Sequence, residues 1–309
     1  MIPDKIMHAA IAVLVPCHNE AQTVVDVVEQ FRAVLPEATV YVYDNNSSDD
    51  TAQRADAAGA IVRVEHRQGK GHVVRRMLAD VDADYYVLVD GDATYDAASA
   101  RQMLQMLVGQ NLDLVNGRRV ARQDAAYRPG HRMGNRIFTG LIGSLFGKQI
   151  EDVLSGYKVF SRRFAKSFPV FSGGFEIETE LAVHALTLGV PMAEVDTPYV
   201  MRPQGSSSKL RAIPDGLKIL RMIVSLFKAE RPLLFFSTAA FVLTALSVVL
   251  AAPLLLTYAE TGLVPRLPTA ILCTGIMIGA MLSFSCGVIL ESVKRGQREI
   301  KRLLYLQQR

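Results

Sequence analysis

Asp90-Gly91-Asp92 stands directly after the apolar run Tyr85–Val89. Two carboxylates one residue apart can share a hard divalent cation, and the glycine between them lets backbone approach closely. Magnesium or manganese held there would neutralise a departing diphosphate. Asp-x-Asp is also common in surface loops, so its weight comes from its place at a strand end. A second constellation is Pro16-Cys17-His18-Asn19-Glu20 after the run Ile11–Val15, with Asp44-Asn45-Asn46-Ser47-Ser48-Asp49-Asp50-Thr51 after Val40–Tyr43. Glu20 and Asp44 could accept hydrogen bonds from a nucleobase imide and from ribose hydroxyls. Asp49 and Thr51 have the residue types of a helix N-cap, so Ser47–Thr51 reads mainly as structural. A third group is basic: Arg118, Arg119, Arg122, Arg128, Arg132 and Arg136 crowd one segment broken by Pro129-Gly130. Guanidinium forks suit phosphate oxygens, and a phosphate monoester, largely dianionic at neutral pH, needs positive charge more than it needs a base. Asp152 could orient such an acceptor or assist as a base, which places it with Asp92 and Arg119 among the catalytic candidates, or it could simply pair with one of those arginines.

Ile11–Val15 reads as a fully buried strand, and Val24, Val28, Phe31 and Leu35 recur at helical spacing after it. Val40–Tyr43 and Ile61–Val64 are further strands. Thr51 opens one helix, and Gly69–Asp80 contains another before Tyr85–Val89. Strands alternating with helices predict an α/β, mainly parallel, doubly wound sheet, whose ligands sit beyond the carboxyl ends of its strands. His18–Glu20, Asp44 and Asp90–Asp92 all fall there. Beyond a strand at Asp113–Asn116 the pattern is less regular, with a helix over Met133–Phe146 and a Pro/Gly/Ser loop over Pro198–Ser208. Glu178 and Glu180 are further candidates near the site, but helix-surface glutamates are common and they stay outside the catalytic set. Lys70 either meets a phosphate or caps the helix behind it; the full phosphate-loop pattern is absent.

The chain has 309 residues, 50% of them hydrophobic and 21% charged, with a net charge of +4. That excludes intrinsic disorder, and it is far from the dense Lys/Arg loading of a nucleic-acid binder. Segments 232–257 and 267–290 contain no charged residue, and each exceeds the roughly 20 apolar residues that span a bilayer as a helix. Lys209, Arg211, Lys218, Arg221, Lys228 and Arg231 precede the first; Lys294, Arg295, Arg298, Lys301 and Arg302 follow the second. The connecting loop offers only Glu260 and Arg266, so the positive-inside rule puts both ends in the cytoplasm. Ile213–Lys228 has Leu217, Leu220, Val224 and Phe227 on one face and bases on the other, as an interfacial helix does. Three cysteines give no disulfide framework, six scattered histidines give no zinc spacing, and the run Ala9–Val15 is too short for a signal peptide. The expected division is 1–212 catalytic, 213–231 juxtamembrane, 232–257 and 267–290 transmembrane, and 291–309 a basic tail, either solvated or packed between subunits.

Pro-x-x-Asn-Glu, Asp-x-x-Ser-x-Asp-x-Thr, Gly69-Lys70-Gly71 and Asp-Gly-Asp, in that order, resemble the nucleotide-sugar-binding half of the family 2 glycosyltransferases, which have the GT-A fold. The resemblance continues through Asn116-Gly117-Arg118-Arg119, Asp152-Val153-Leu154-Ser155-Gly156-Tyr157-Lys158 and Arg202-Pro203-Gln204-Gly205-Ser206-Ser207-Ser208-Lys209. With the trailing apolar segments, it is similar to the polyprenyl-phosphate branch, which includes dolichol-phosphate mannose synthases and undecaprenyl-phosphate glucosyltransferases. The resemblance implies that Pro16, Asn19, Glu20 and Asp44 hold base and ribose. Asp90, Gly91 and Asp92 would hold the diphosphate and its Mg2+ or Mn2+, and Arg202 and Lys209 would close over the donor. Arg119, with Arg128 or Arg132, would receive the lipid phosphate, and Asp152 would stand beside it. Thr94 replaces a frequent glutamine two residues after Asp92, and Asn45-Asn46 replaces Asp-Gly, which leaves the base to Asp44 alone.

The expected protein is thus an inverting transferase of the bacterial inner membrane. It would move a sugar from a nucleoside diphosphate to polyprenyl phosphate, as a homo-oligomer, a tetramer by resemblance. Two other classes remain open: a sugar nucleotidyltransferase, and an inactive nucleotide-sugar-binding membrane adaptor. A processive polysaccharide synthase is excluded, because its Gln-x-x-Arg-Trp signature needs a tryptophan and the chain has none.

Overall fold

The computed structural model describes residues 9–121, 131–147, 150–200, 202 and 212–307. Four apolar runs form the parallel strands β1 (Ile11–Cys17), β2 (Ala38–Asp44), β3 (Ile61–Val64) and β4 (Tyr85–Leu88). Helices α1 (Val24–Val34), α2 (Thr51–Ala57) and α3 (Lys70–Asp80) connect them, and α4 (Ala98–Gly109) follows β4. Val24, Val28, Phe31 and Leu35 are buried as their spacing requires, and Val27 joins them.

The second half is more regular than its sequence suggests. β5 (Leu114–Ala121) and α5 (His131–Phe146) precede a short β6 (Lys158–Ser161), then α6 (Arg162–Ser167), α7 (Ile177–Leu188) and β7 (Met192–Tyr199). The seven strands form one sheet in the order β3-β2-β1-β4-β6-β5-β7. It is mainly parallel, with β6 antiparallel to both β4 and β5. One core lies on each face: Val13, Val15, Phe31, Met103 and Tyr157 on one, Leu14, Met77, Tyr86, Phe160 and Phe164 on the other. The sheet thereby gathers the ends of β1, β2 and β4 at one edge, close to the turn before β6.

Two sequence expectations change here. Glu178 and Glu180 are not surface residues, because α7 is buried along most of its length. The cap of α2 is not the expected one: Asp50 occupies the N-cap position without a side-chain bond, while Asp49 Oδ1 accepts the Thr51 N–H at 3.1 Å. The residues after Leu290 continue the second apolar segment as helix, within α10 (Leu267–Gln307).

The chain divides into two compact units, Met1–Ile223 with Lys301–Arg309, and Val224–Ile300. In the first, the last turns of α10 belong with the catalytic sheet. The Tyr305 hydroxyl donates to the wholly buried Asp113 carboxylate, and the Arg163 guanidinium lies 5.0 Å from the Tyr305 ring. In the second, Lys294 pairs with Glu230 at the start of the helical hairpin. That hairpin is α9 (Pro232–Thr261) and the apolar part of α10; α8 (Ala212–Glu230) precedes it. Both are long and apolar enough to cross a membrane. Leu217, Leu220 and Val224 on α8 are exposed.

Candidate active site

The loops after β1, β2 and β4 are stitched together by hydroxyl groups. Asn19, held at φ 53°, donates its N–H to Ser47 Oγ at 2.8 Å, and its Oδ1 accepts the Ser48 N–H at 2.7 Å. The Glu20 N–H donates to Thr51 Oγ1 at 2.8 Å, and Thr23 Oγ1 donates to the Gly91 carbonyl at 2.7 Å. Both threonines are fully buried. Pro16 is a β1 residue paired with Tyr43 in register, one position before the Cys17–Asp44 pair.

Asp44 Oδ2 accepts the Ser47 N–H at 3.1 Å, whereas its Oδ1 is buried with no hydrogen-bond partner among the described residues. Such an orphan costs roughly 1–3 kcal/mol until a donor arrives. Asn45 cannot help, since its side chain is committed to the Glu65 and Arg67 carbonyls and to the Gly69 N–H, all within 2.8 Å. Asn46 sits at φ 57°, a left-handed conformation asparagine tolerates, and so does the work of the glycine it replaces.

Each carboxylate of the Asp90–Asp92 turn meets a cation. The Lys70 ammonium bridges Asp90 and Glu178, and Arg202 pairs with Asp92 while lying 3.6 Å from Glu20. Thr94 donates to Asp92 Oδ1 through its N–H at 3.1 Å and its hydroxyl at 2.5 Å, and so fixes that carboxylate. Burial first, and the neighbouring Asp90 charge second, raise the Asp92 pKa above the ordinary carboxylate value. Burial alone would lower the pKa of Lys70, but Asp90 and Glu178 together raise it above the ordinary lysine value.

The Gly69-Lys70-Gly71 pattern has a steric cause. A Cβ on Gly69 or Gly71 would lie 2.1 Å from the carbonyl oxygen of Gly173 or Ser172, so only glycine fits on either side of the lysine. The crossing loop is itself pinned by buried Glu180, which accepts the Phe171 and Ser172 N–H groups at 2.8 Å. Gly156 is similarly tight, since a Cβ there would come within 2.5 Å of Asp90 Oδ2. Its N–H donates to Tyr95 Oη at 2.9 Å, which ties the turn before β6 to the acidic pair.

On the other side of that turn stands a buried ion pair. Arg119 donates from Nε and Nη2 to the Asp152 carboxylate at 2.7 and 2.8 Å, and from its backbone N–H at 3.1 Å. Its guanidinium lies 5.7 Å from the Tyr199 ring, which packs edge-on to Tyr95. Burial pushes the Asp152 pKa up, but the bonds and charge of Arg119 outweigh it and leave it lowered. Asp152 is thus the partner of an arginine, one of the three roles its sequence allowed. Arg118, its neighbour, pairs instead with Glu151 and Asp196 at the surface. Arg128 and Lys209 lie outside the described residues, and Arg132 is placed only as a position on α5.

Among the described residues, no group of three or more His, Cys, Asp or Glu is gathered as a metal site. Asp90 and Asp92 offer two carboxylates, each already neutralised by a cation. A hard divalent ion fits such a pair when a ligand's phosphate oxygens and water complete its shell.

Residues 12–168 match the model of glycosyl transferase family 2. The glycosyltransferase AglJ of Haloferax volcanii is 35% identical over 88% of this chain and 90% of its own length. The chain belongs to glycosyl transferase family 2. A dolichyl-phosphate hexose transferase of the same archaeon is 26% identical over 72% of this chain and 95% of its own. Glucosyl-3-phosphoglycerate synthase of Mycobacterium tuberculosis, solved with Mn2+, UDP and phosphoglyceric acid, has the same fold. Its TM-score is 0.59 at 24% identity, over 72% of this chain and 78% of that one. The GT-A architecture expected from the motifs is therefore the one observed.

Within this family 2 transferase, the structure brings together Asn19, Glu20, Asp44, Asp90, Asp92 and Arg202, and sets Arg119 with Asp152 close by. Sequence reasoning passed over Thr23 and Tyr95, left Glu178 outside the catalytic set, and saw Thr94 only as a replacement for glutamine. Glu178 is 108 positions from Lys70, and its only signal was a carboxylate on a helix apolar on every side.

Proposed function

We propose that the protein is an inverting glycosyltransferase that moves a hexose from a nucleoside diphosphate to polyprenyl phosphate at the cytoplasmic face of a membrane. The observation that carries this is the Asp90–Asp92 turn, neutralised by Lys70 and Arg202 and backed by the buried Arg119–Asp152 pair across Gly156. The lipid acceptor is supported by a relative named as a dolichyl-phosphate hexose transferase and by two helices long enough to span a bilayer. A long-chain lipid substrate gives a sugar transferase a reason to be anchored. The division into 1–212, 213–231, 232–257, 267–290 and 291–309 belongs to this reading, with Tyr305 of the last segment bonded to Asp113.

On the donor side, Pro16, Asn19, Glu20 and Asp44 form the base and ribose site. Asp44 has one carboxylate oxygen bonded to Ser47 and one without a partner. A uracil imide offers a single N–H, whereas guanine offers two parallel donors, so the site suits uridine better. The structural neighbour bound to UDP agrees with this. Asp90 and Asp92 would hold Mg2+ or Mn2+, which when bound supplies positive charge to the leaving diphosphate. Arg202 and Lys209 add positive charge over the donor, and Asp92 is kept in place by Thr94.

On the acceptor side, Arg119, with Arg128 or Arg132, receives the phosphate monoester. Its oxygen is already anionic and displaces the diphosphate in line at the anomeric carbon. Asp152 holds the Arg119 fork in a fixed orientation. The test is incubation of the detergent-purified protein with labelled nucleotide sugars, undecaprenyl phosphate and Mn2+. Label should enter the lipid phase from one uridine-linked donor, and both EDTA and Asp92→Asn should abolish it. Pyrophosphate release from a nucleoside triphosphate would instead support a nucleotidyltransferase.

A further inference from the structure

We propose that Glu194 is a positioning residue for the acceptor side. It fixes the backbone of Asp152, and through Asp152 it fixes the Arg119 guanidinium. The proposal rests on the reading of Arg119 as the acceptor-phosphate ligand.

Glu194 lies on β7 directly opposite Asn116 of β5. Its two carboxylate oxygens receive three N–H donors from two different elements. Oε1 accepts Asn116 Nδ2 at 2.6 Å and the Asp152 N–H at 3.1 Å, and Oε2 accepts the Glu151 N–H at 2.8 Å. Asn116 Nδ2 also donates to the Asp152 carbonyl at 3.0 Å. Both polar groups of the Asp152 backbone are therefore tied to one carboxylate–amide pair. The orientation of that amide is itself fixed, because the buried Lys158 ammonium donates to Asn116 Oδ1 at 2.5 Å and leaves Nδ2 to face Glu194.

The consequence reaches the guanidinium by a short path. Asp152 grips Arg119 at three nitrogens, so a rotation of the 151–152 turn would rotate the fork with it. A guanidinium recognises phosphate through the direction of its N–H groups as much as through its charge. Position 194 needs a carboxylate. A glutamine there has one acceptor oxygen for three donors and sets its own NH2 against a donor in either orientation.

The experiment uses the full chain in detergent and measures two affinities for each variant: a fluorescent farnesyl phosphate by polarisation, and UDP with Mn2+ by calorimetry. Glu194→Gln should weaken farnesyl phosphate about tenfold and leave UDP binding unchanged. Glu194→Asp keeps both acceptor oxygens on a shorter stem, and should lose less farnesyl phosphate affinity than Glu194→Gln. If Glu194→Gln does not fold, Glu194→Asp carries the comparison against the parent chain. Unchanged farnesyl phosphate binding in Glu194→Gln, where Arg119→Lys weakens it, overturns the proposal and leaves the Arg119 reading standing. Unchanged binding in Arg119→Lys removes that reading instead. An equal loss of both ligands in Glu194→Gln overturns the proposal as a general loss of fold.

Discussion

Asp92 is held where a carboxylate is expensive, since burial and the Asp90 charge both oppose its ionisation. That cost agrees with the metal-holding role proposed for it. Asp92→Asn should therefore lower transfer by roughly a hundredfold or more without lowering the thermal midpoint, which paired activity and melting measurements would check. A second residue-scale expectation concerns Lys158, whose pKa burial pushes down to about 8 despite Asp152, Glu178 and Glu194 nearby. A base with a lower pKa folded than unfolded burdens the fold while charged, and the burden lifts as pH rises through the folded value. Stability of the parent relative to Lys158→Met should thus improve between pH 8 and about 10, as read from denaturation at several pH values. The Asp90–Asp92 turn was legible in the sequence because its geometry is local, whereas the Lys70 glycines were legible only through the resemblance, since what they accommodate is the distant 172–173 loop. The Lys70–Glu178 bridge was not, because its partners meet only through the sheet order.

Strands β1 to β4 were legible as elements because each is a continuous apolar run flanked by turn residues. β6 and β7 were not. β6 has four residues, and β7 carries Glu194, Asp196 and Pro198 among its apolar positions. Glu194 has partners in the turn before β6 and on β5, Asp196 pairs with Arg118 of β5, and no periodicity announces either. The α3 start offers a direct test of its close approach to the 172–174 loop. Gly71→Ala should destabilise the catalytic unit by about 1–3 kcal/mol and weaken UDP binding with it, by melting and calorimetry. The end of α10 offers another. Tyr305→Phe leaves buried Asp113 with Ser161 and Arg163 but removes one donor, at a cost of about 1 kcal/mol in denaturation.

At the scale of the whole molecule, the charge-free stretches of α9 and α10 were the clearest feature of the sequence, and the structure makes them helices of 30 and 41 residues. Either exceeds the roughly 20 residues a bilayer requires. The protein should remain with the membrane fraction under alkaline carbonate, and its mass in detergent should be that of a tetramer; a monomer alone would contradict the assembly. The fold was legible because local patterns and global topology agree, while the acceptor was legible only through resemblance. One measurement separates the central claim from its nearest alternative. Purified protein, Mn2+ and the preferred nucleotide sugar are offered undecaprenyl phosphate and 3-phosphoglycerate together, and the products are identified by mass spectrometry. The account predicts a glycosyl-phosphate lipid and no glycosylated phosphoglycerate. Glycosylated phosphoglycerate with no lipid product would contradict it, and would leave a family 2 transferase with a soluble acceptor.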